Sequence, residues 1–216
     1  SIMQYKTSFL LTAIGQFLVS FNVFLGVYFM LHRFYKIKGF TFSEVLLCFS
    51  ILLMGYTLAE CFARGFDSFS STISNGDFDR IMVRPSNVML QVLGSKIEFT
   101  RVGRMLQAIV MFIYGIHNSY VNWNFAKIMT VIFMILGGAV LFTGIFIIYA
   151  ALCFFTIEGL EFMNIFIDGA REFGKYPVNI YAKSWYMFLP LLAVLFIIPC
   201  YLFWKVGIKH YKSTGS

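Results

Sequence analysis

Five long apolar runs, separated by short polar stretches, dominate the chain. Residues 7–32 carry no charge, and their apolar centre is long enough to cross a hydrocarbon core of about 30 Å. It is too long for a signal-peptide core and no small-residue cleavage site follows, so it reads as a true span over about 8–31. A second span is predicted over 42–63, with Glu44 and Glu60 near its ends. The third is less regular. His117, Asn118, Asn122 and Asn124 make the stretch after it polar, so it is placed at 97–116, with Glu98, Arg101 and Arg104 in its first turns. Long basic side chains at a helix end are expected to snorkel to the headgroups. The fourth run, 128–157, has no charge at all and corresponds to about 45 Å of helix. Gly137, Gly138 and Gly144 permit close helix approach or a bend within it. After a polar stretch from 158 to 183 comes a last span over about 186–204, containing Pro190 and Pro199.

This pattern predicts an all-α integral membrane protein, one transmembrane domain over 1–216, with a polar loop over 64–96 between the second and third spans. No internal repeat interrupts it, and neither 64–96 nor 158–183 is long enough to build a core of its own. Composition strengthens the reading. Of 216 residues, 59% are hydrophobic and 12% charged, about half the charged share of a soluble domain. Lipid, not water, is the solvent such a surface suits. The 27 Phe, 12 Tyr and 3 Trp fit lipid-facing helices with interfacial aromatic belts. The four cysteines, Cys48, Cys61, Cys153 and Cys200, lie in or beside apolar runs and read as small buried hydrophobes.

The net charge of +7 raises the question of nucleic acid, but the cations sit in the gaps between apolar runs rather than on one face. They report topology instead. Lys6, Arg64, Arg80, Arg84, Lys96, Arg101, Arg104, Arg171, Lys175 and Lys183 fall on one side, ten in all, against four on the other: Arg33, Lys36, Lys38 and Lys127. The positive-inside rule puts the N-terminus and the 64–96 loop in the cytoplasm. With five spans, Lys205, Lys209 and Lys212 would lie outside, ten against seven. With six they lie inside, thirteen against four. A bundle of about six spans with both termini cytoplasmic is therefore expected, one span being missing from the sequence between Tyr181 and Met187. That the chain opens on Ser1 rather than Met agrees with such a gap.

The most informative polar segment is SFSSTISNGDFDRIMVRP, residues 68–85. Asn75-Gly76 is a turn signal, Asp77 is placed to cap a short helix running through Ile81, Met82 and Val83, and Pro85 ends it. Two readings fit: a surface connector that keeps Asp77, Asp79, Arg80 and Arg84 solvated, or a lever that docks a cytoplasmic partner, with Ile81 and Met82 as apolar anchors. Glu158 and Glu161 share a helix face, with Asp168 and Glu172 further on, and read either as an acid–base pair or as solvated interfacial charges. Glu60, close to lipid, needs a partner, and Arg64 at i+4 is the nearest in sequence. His32, His117 and His210 are scattered without metal-ligand spacing. The chain has no GxxxxGK[ST], so no P-loop nucleotide site of its own.

Three segments carry a family resemblance. GDFDRIMVRPSN resembles the stretch between the second and third spans in permeases of type-2 ABC exporters, in a bacterial subgroup of about six spans. CFFTIEGLEFMNIFIDGAREFGKYPVNIY is similar to a later region of that subgroup, and FWKVGIKHYKSTGS to its C-terminus. The resemblance implies a homo- or heterodimer of permeases in the bacterial inner membrane, each docked on a cytoplasmic ATPase that binds ATP and Mg. This chain would bind no cofactor or metal and hold no catalytic residue. The loop after the second span would be the coupling helix, with Gly76, Asp77, Asp79, Arg80, Arg84 and Pro85 at or beside the ATPase contact, and its motion would pass into the second and third spans. The Phe and Met content suits an apolar or amphipathic cargo, though most of these residues read as lipid-facing. The sequence departs from the family where Tyr176-Pro177 is followed too soon by the final span. The alternatives are an intramembrane enzyme using Glu158 and Glu161, or a non-transporting assembly subunit of a membrane complex.

Overall fold

The structure is a computed structural model that describes residues 6–34, 41–119, 123–156, 165, 167–169 and 189–211. Among these residues there is no strand. The long helices are α1 (Lys6–Phe34), α2 (Phe42–Phe62), α7 (Val102–Asn118), α8 (Phe125–Leu152) and α9 (Leu189–His210). Four short ones, α3 (Arg64–Asp67), α4 (Phe69–Ser74), α5 (Asp77–Met82) and α6 (Val88–Ser95), fill the segment between α2 and α7.

Four stretches of described helix are long and apolar enough to cross a membrane: Phe42–Phe62, Phe99–Asn118, Phe125–Leu152 and Pro190–His210. The first helix, α1, has 29 residues, with an apolar stretch at Leu10–Val19. The protein is an all-α, multi-pass membrane protein. Its outer wall agrees physically, because Phe125, Ile132, Leu136, Leu192, Leu195 and Ile198 stand exposed along α8 and α9, an apolar surface suited to lipid or to another membrane helix and not to water.

The centre of the bundle is α2, which buries Val45, Leu46, Phe49, Leu53, Tyr56 and Ala59. On one side it packs on α7, where Leu46, Phe49, Leu53 and Met54 meet Ala108 and Met111. On the other it packs on α8, and at Gly55 the two backbones nearly touch: a Cβ there would sit 2.9 Å from the Ile135 carbonyl oxygen. Without a hydrophobic force between helices in lipid, such small-residue contacts are what hold neighbours together. A second core joins α2, α8, α9 and the short helices around Phe66, Phe69, Phe78, Phe146 and Trp204.

The helix ends differ from the sequence expectations in three places. A 3-10 turn at Phe99–Arg101 precedes α7, and Lys96 and Glu98 are extended, so helix begins later than 97. Asn124, read from the sequence as one of the polar residues after the third span, caps α8: its side-chain oxygen accepts the Phe125 N–H at 2.7 Å. α8 then ends at Leu152, short of residue 157. The span expected to be missing between Tyr181 and Met187 falls outside the described residues.

Candidate functional site

The segment 64–96 folds as a compact cap of four short helices. Gly76 adopts φ 72°, the left-handed region glycine enters without strain, and this reverses the chain between α4 and α5. Gly76 is also the N-cap of α5, so Asp77 is not the capping residue the sequence suggested. It occupies the first helical turn, where its charge favours the helix dipole. α5 ends at Met82, with Val83 as its C-cap, before Pro85 is reached.

One face of α5 is locked down. Phe78 is fully buried and packs edge-on against Phe69, Phe154 and Tyr211, with ring centroids 4.8–5.3 Å apart. Phe154 follows the end of α8, and it and Phe69 both lie about 5.1–5.2 Å from Trp204 of α9 or from each other. The Tyr211 hydroxyl, just past α9, donates to Asp79 Oδ1 at 3.0 Å. Gly207 lies so close to Phe154 that an added Cβ would meet its ring at 2.5 Å. Thus α5 sits on the ends of α8 and α9 through an aromatic joint. The Gln91 amide on α6 donates to the Ile81 and Ser86 carbonyls at 3.2 and 3.0 Å and fixes the turn that follows α5.

The other face of α5 is open. Asp77 and Arg80 are exposed, 3.9 Å apart, and Met82, Val83, Arg84 and Pro85 are exposed with them. Ile81, expected as an apolar anchor beside Met82, is half-buried: it packs against the aromatic core and also lines the cleft beside this face. Its i−3 neighbour Phe78 shows why, since the two share one helix face. Val83, 85% exposed, takes the outward place. Beside this face lies a polar cleft of about 330 Å³, lined among others by Ser71, Thr72, Arg80, Arg84 and Lys96.

A second polar constellation lies among the long helices. Glu60, 4% exposed, is hydrogen-bonded by Arg104 and lies 3.8 Å from Arg101. Arg104 reaches on to the Gln16 side chain of α1 at 2.6 Å and stacks over the Tyr56 ring. Arg64 does not take Glu60 as the sequence spacing suggested. It pairs with Asp67 and, at 3.0 Å, with Glu98, which also lies 3.8 Å from Arg101. Arg101 and Arg104 therefore do not snorkel to the headgroups but are buried as partners of Glu60. No local spacing announces this. The only signal was a carboxylate at the end of one span and two arginines three residues apart at the start of the next.

The remaining candidates are less informative. Glu44 caps α2, accepting the Thr41 N–H at 2.8 Å. Glu158, Glu161 and Glu172 lie outside the described residues, and Asp168 is exposed. Among the described residues no three His, Cys, Asp or Glu side chains are grouped to hold a metal ion.

The sequence profile of one protein family, described as ABC-2 family transporter protein, matches residues 17–199. No curated protein and no solved structure matches the chain.

Proposed function

The chain belongs to the ABC-2 family of transporter proteins, and from that premise we infer that this transport permease is driven by separate cytoplasmic ATPase subunits and works as an exporter. The open face of α5 is the docking surface, with Asp77, Arg80 and Arg84 setting the register and Met82 and Val83 supplying apolar contact. Gly76 and Pro85 frame that surface, and Asp79 braces it from behind through Tyr211. The cleft beside it, richer in Arg and Lys than in carboxylate, suits an acidic partner surface. ATP and Mg are held by the partner. The segment 64–96 lies in the cytoplasm, as the distribution of Lys and Arg favours, in a plasma-membrane protein of about six spans with both termini inside. A second permease, identical or homologous, completes the translocation path.

One observation carries this reading. α5 presents a charged outer face while its inner face is bolted to α8 and α9 through Phe78, Phe154, Trp204 and Tyr211. A push on the outer face is thereby delivered to two long helices as a rigid-body movement. The route differs from the second and third spans alone: it adds the ends of α8 and α9. The test is purification from the native membrane. A Walker-motif ATPase should accompany the permease in fixed ratio, and Arg80→Ala or Asp79→Ala should lower ATPase coupling without reducing membrane insertion. A permease that purifies alone and turns over a lipid would instead favour the intramembrane enzyme.

A further inference from the structure

The buried charges between α2 and α7 form a ladder with one rung idle. Along α7 and the turn before it, Arg101, Arg104 and Gln107 follow one another at three-residue steps, and all are at least nine-tenths buried. Glu60 on α2 engages the first two. The Gln107 side chain is 97% buried by its 3% exposure, and neither its amide nitrogen nor its oxygen has a hydrogen-bond partner. An amide left unsatisfied in an apolar interior is costly, and such groups normally find a partner in some state of the protein. Three residues back along α7, Arg104 holds a carboxylate, Glu60, a group that accepts amide N–H bonds.

We propose that Glu60 is the moving tooth of an exchangeable latch, passing from Arg101 and Arg104 to Arg104 and Gln107 as α2 slides along α7 during transport. Three residues of helix advance about 4.5 Å and fall about 60° short of a full turn, so a slide of that size with a matching rotation of α7 moves the carboxylate one rung and keeps Arg104 paired throughout. The charge is never left alone in the low dielectric, which is the condition that makes such a movement affordable in energy. One-turn shifts between packed helices are a known form of two-state change. The rest of this interface is apolar, built of Leu46, Phe49, Leu53, Ala108 and Met111, so a shift there trades one packed register for another and strands no polar group of these residues. The latch is tied to the docking segment, since Arg64, the first residue of α3, holds Glu98 at 3.0 Å and Glu98 leads to Arg101. This rests on the permease reading only for what drives the slide.

The test uses a disulfide as a register gauge. Gly115 of α7 lies against Leu47 of α2, where a Cβ would meet the Leu47 side chain at 2.8 Å. Leu47→Cys with Gly115→Cys, in a chain with Cys48 and Cys61 replaced by Ala, should therefore cross-link readily in the nucleotide-free complex. A disulfide needs Cβ atoms about 4 Å apart, so a one-rung slide breaks the geometry. With ATP and vanadate trapped on the partner, cross-linking should fall at least fivefold, and Gln107→Leu should abolish that fall. Without nucleotide, Gln107→Leu should leave Tm unchanged or raised, because the amide has no partner in the resting register. Unchanged cross-linking in a complex that hydrolyses ATP overturns the latch while leaving the permease reading intact. A clear drop in Tm for Gln107→Leu overturns it as well, by showing the amide already engaged. Failure to recover any ATPase counts against the permease reading, and the Tm of Gln107→Leu then decides for or against the idle rung.

Discussion

Two joints connect the 64–96 segment to the long helices, and they are built from opposite chemistry. Under α5 the joint is aromatic: Phe69, Phe78, Phe154, Trp204 and Tyr211 interlock edge to face, a packing that transmits displacement but has no alternative partner to switch to. The other joint is ionic: Arg64, the first residue of α3, holds Glu98, Glu98 lies beside Arg101, and Arg101 and Arg104 share Glu60 of α2, with Gln16 of α1 bound to Arg104. There the partners are interchangeable and the strength depends on every member being present. The comparison teaches that the same segment can be held rigidly to one pair of helices and switchably to another.

The comparison breaks most sharply at the ionic joint. Glu60→Leu leaves the buried Arg104 guanidinium without a carboxylate and Arg101 with Glu98 alone, and the loss should be about 3–5 kcal/mol, read as a large fall in Tm in detergent or nanodiscs. Glu60→Leu with Arg104→Leu should recover part of it. If the double variant falls by the sum of the singles, the two groups are not a pair. At the aromatic joint, Phe78→Ala opens a void among Phe69, Phe154 and Tyr211, costing about 3 kcal/mol. It should also uncouple ATP hydrolysis by unseating α5, and an activity unaffected by the substitution would show that α5 moves independently of α8 and α9. Smaller still is Tyr211→Phe, which removes the hydroxyl that donates to Asp79 and should cost about 1 kcal/mol by the same thermal measurement. The smallest effect on stability belongs to Arg80→Ala. Its exposed 3.9 Å pairing with Asp77 is worth little, so Tm should not move although coupling to the ATPase falls.

The sequence made the helices plain because charge-free runs of the right length have few other homes. The second, third, fourth and last predicted spans overlap α2, α7, α8 and α9, and all four stretches are apolar enough to cross a bilayer. The short α5 was legible too, through Asn75-Gly76 and Pro85. The capping residue within it was not. Asp77 looked like a cap only because the left-handed Gly76 was read as part of the turn, and the helix phase that sets Ile81 beside Phe78 shares it between the aromatic core and the cleft. The Glu60 pairing was invisible for a different reason: its partner is 44 residues away, while Arg64 offered a local spacing that the fold uses for Asp67 and Glu98 instead. Non-local charge pairs leave no periodicity to read.

The central claim is that the open face of α5 meets a motor protein in the cytoplasm. Its most direct test is thiol labelling of Val83→Cys, in a chain with the four native cysteines replaced, by a membrane-impermeant maleimide. The expected result is labelling in inside-out vesicles, none in right-side-out vesicles, and protection when the ATPase is bound. Labelling from the outer side of the membrane would contradict it.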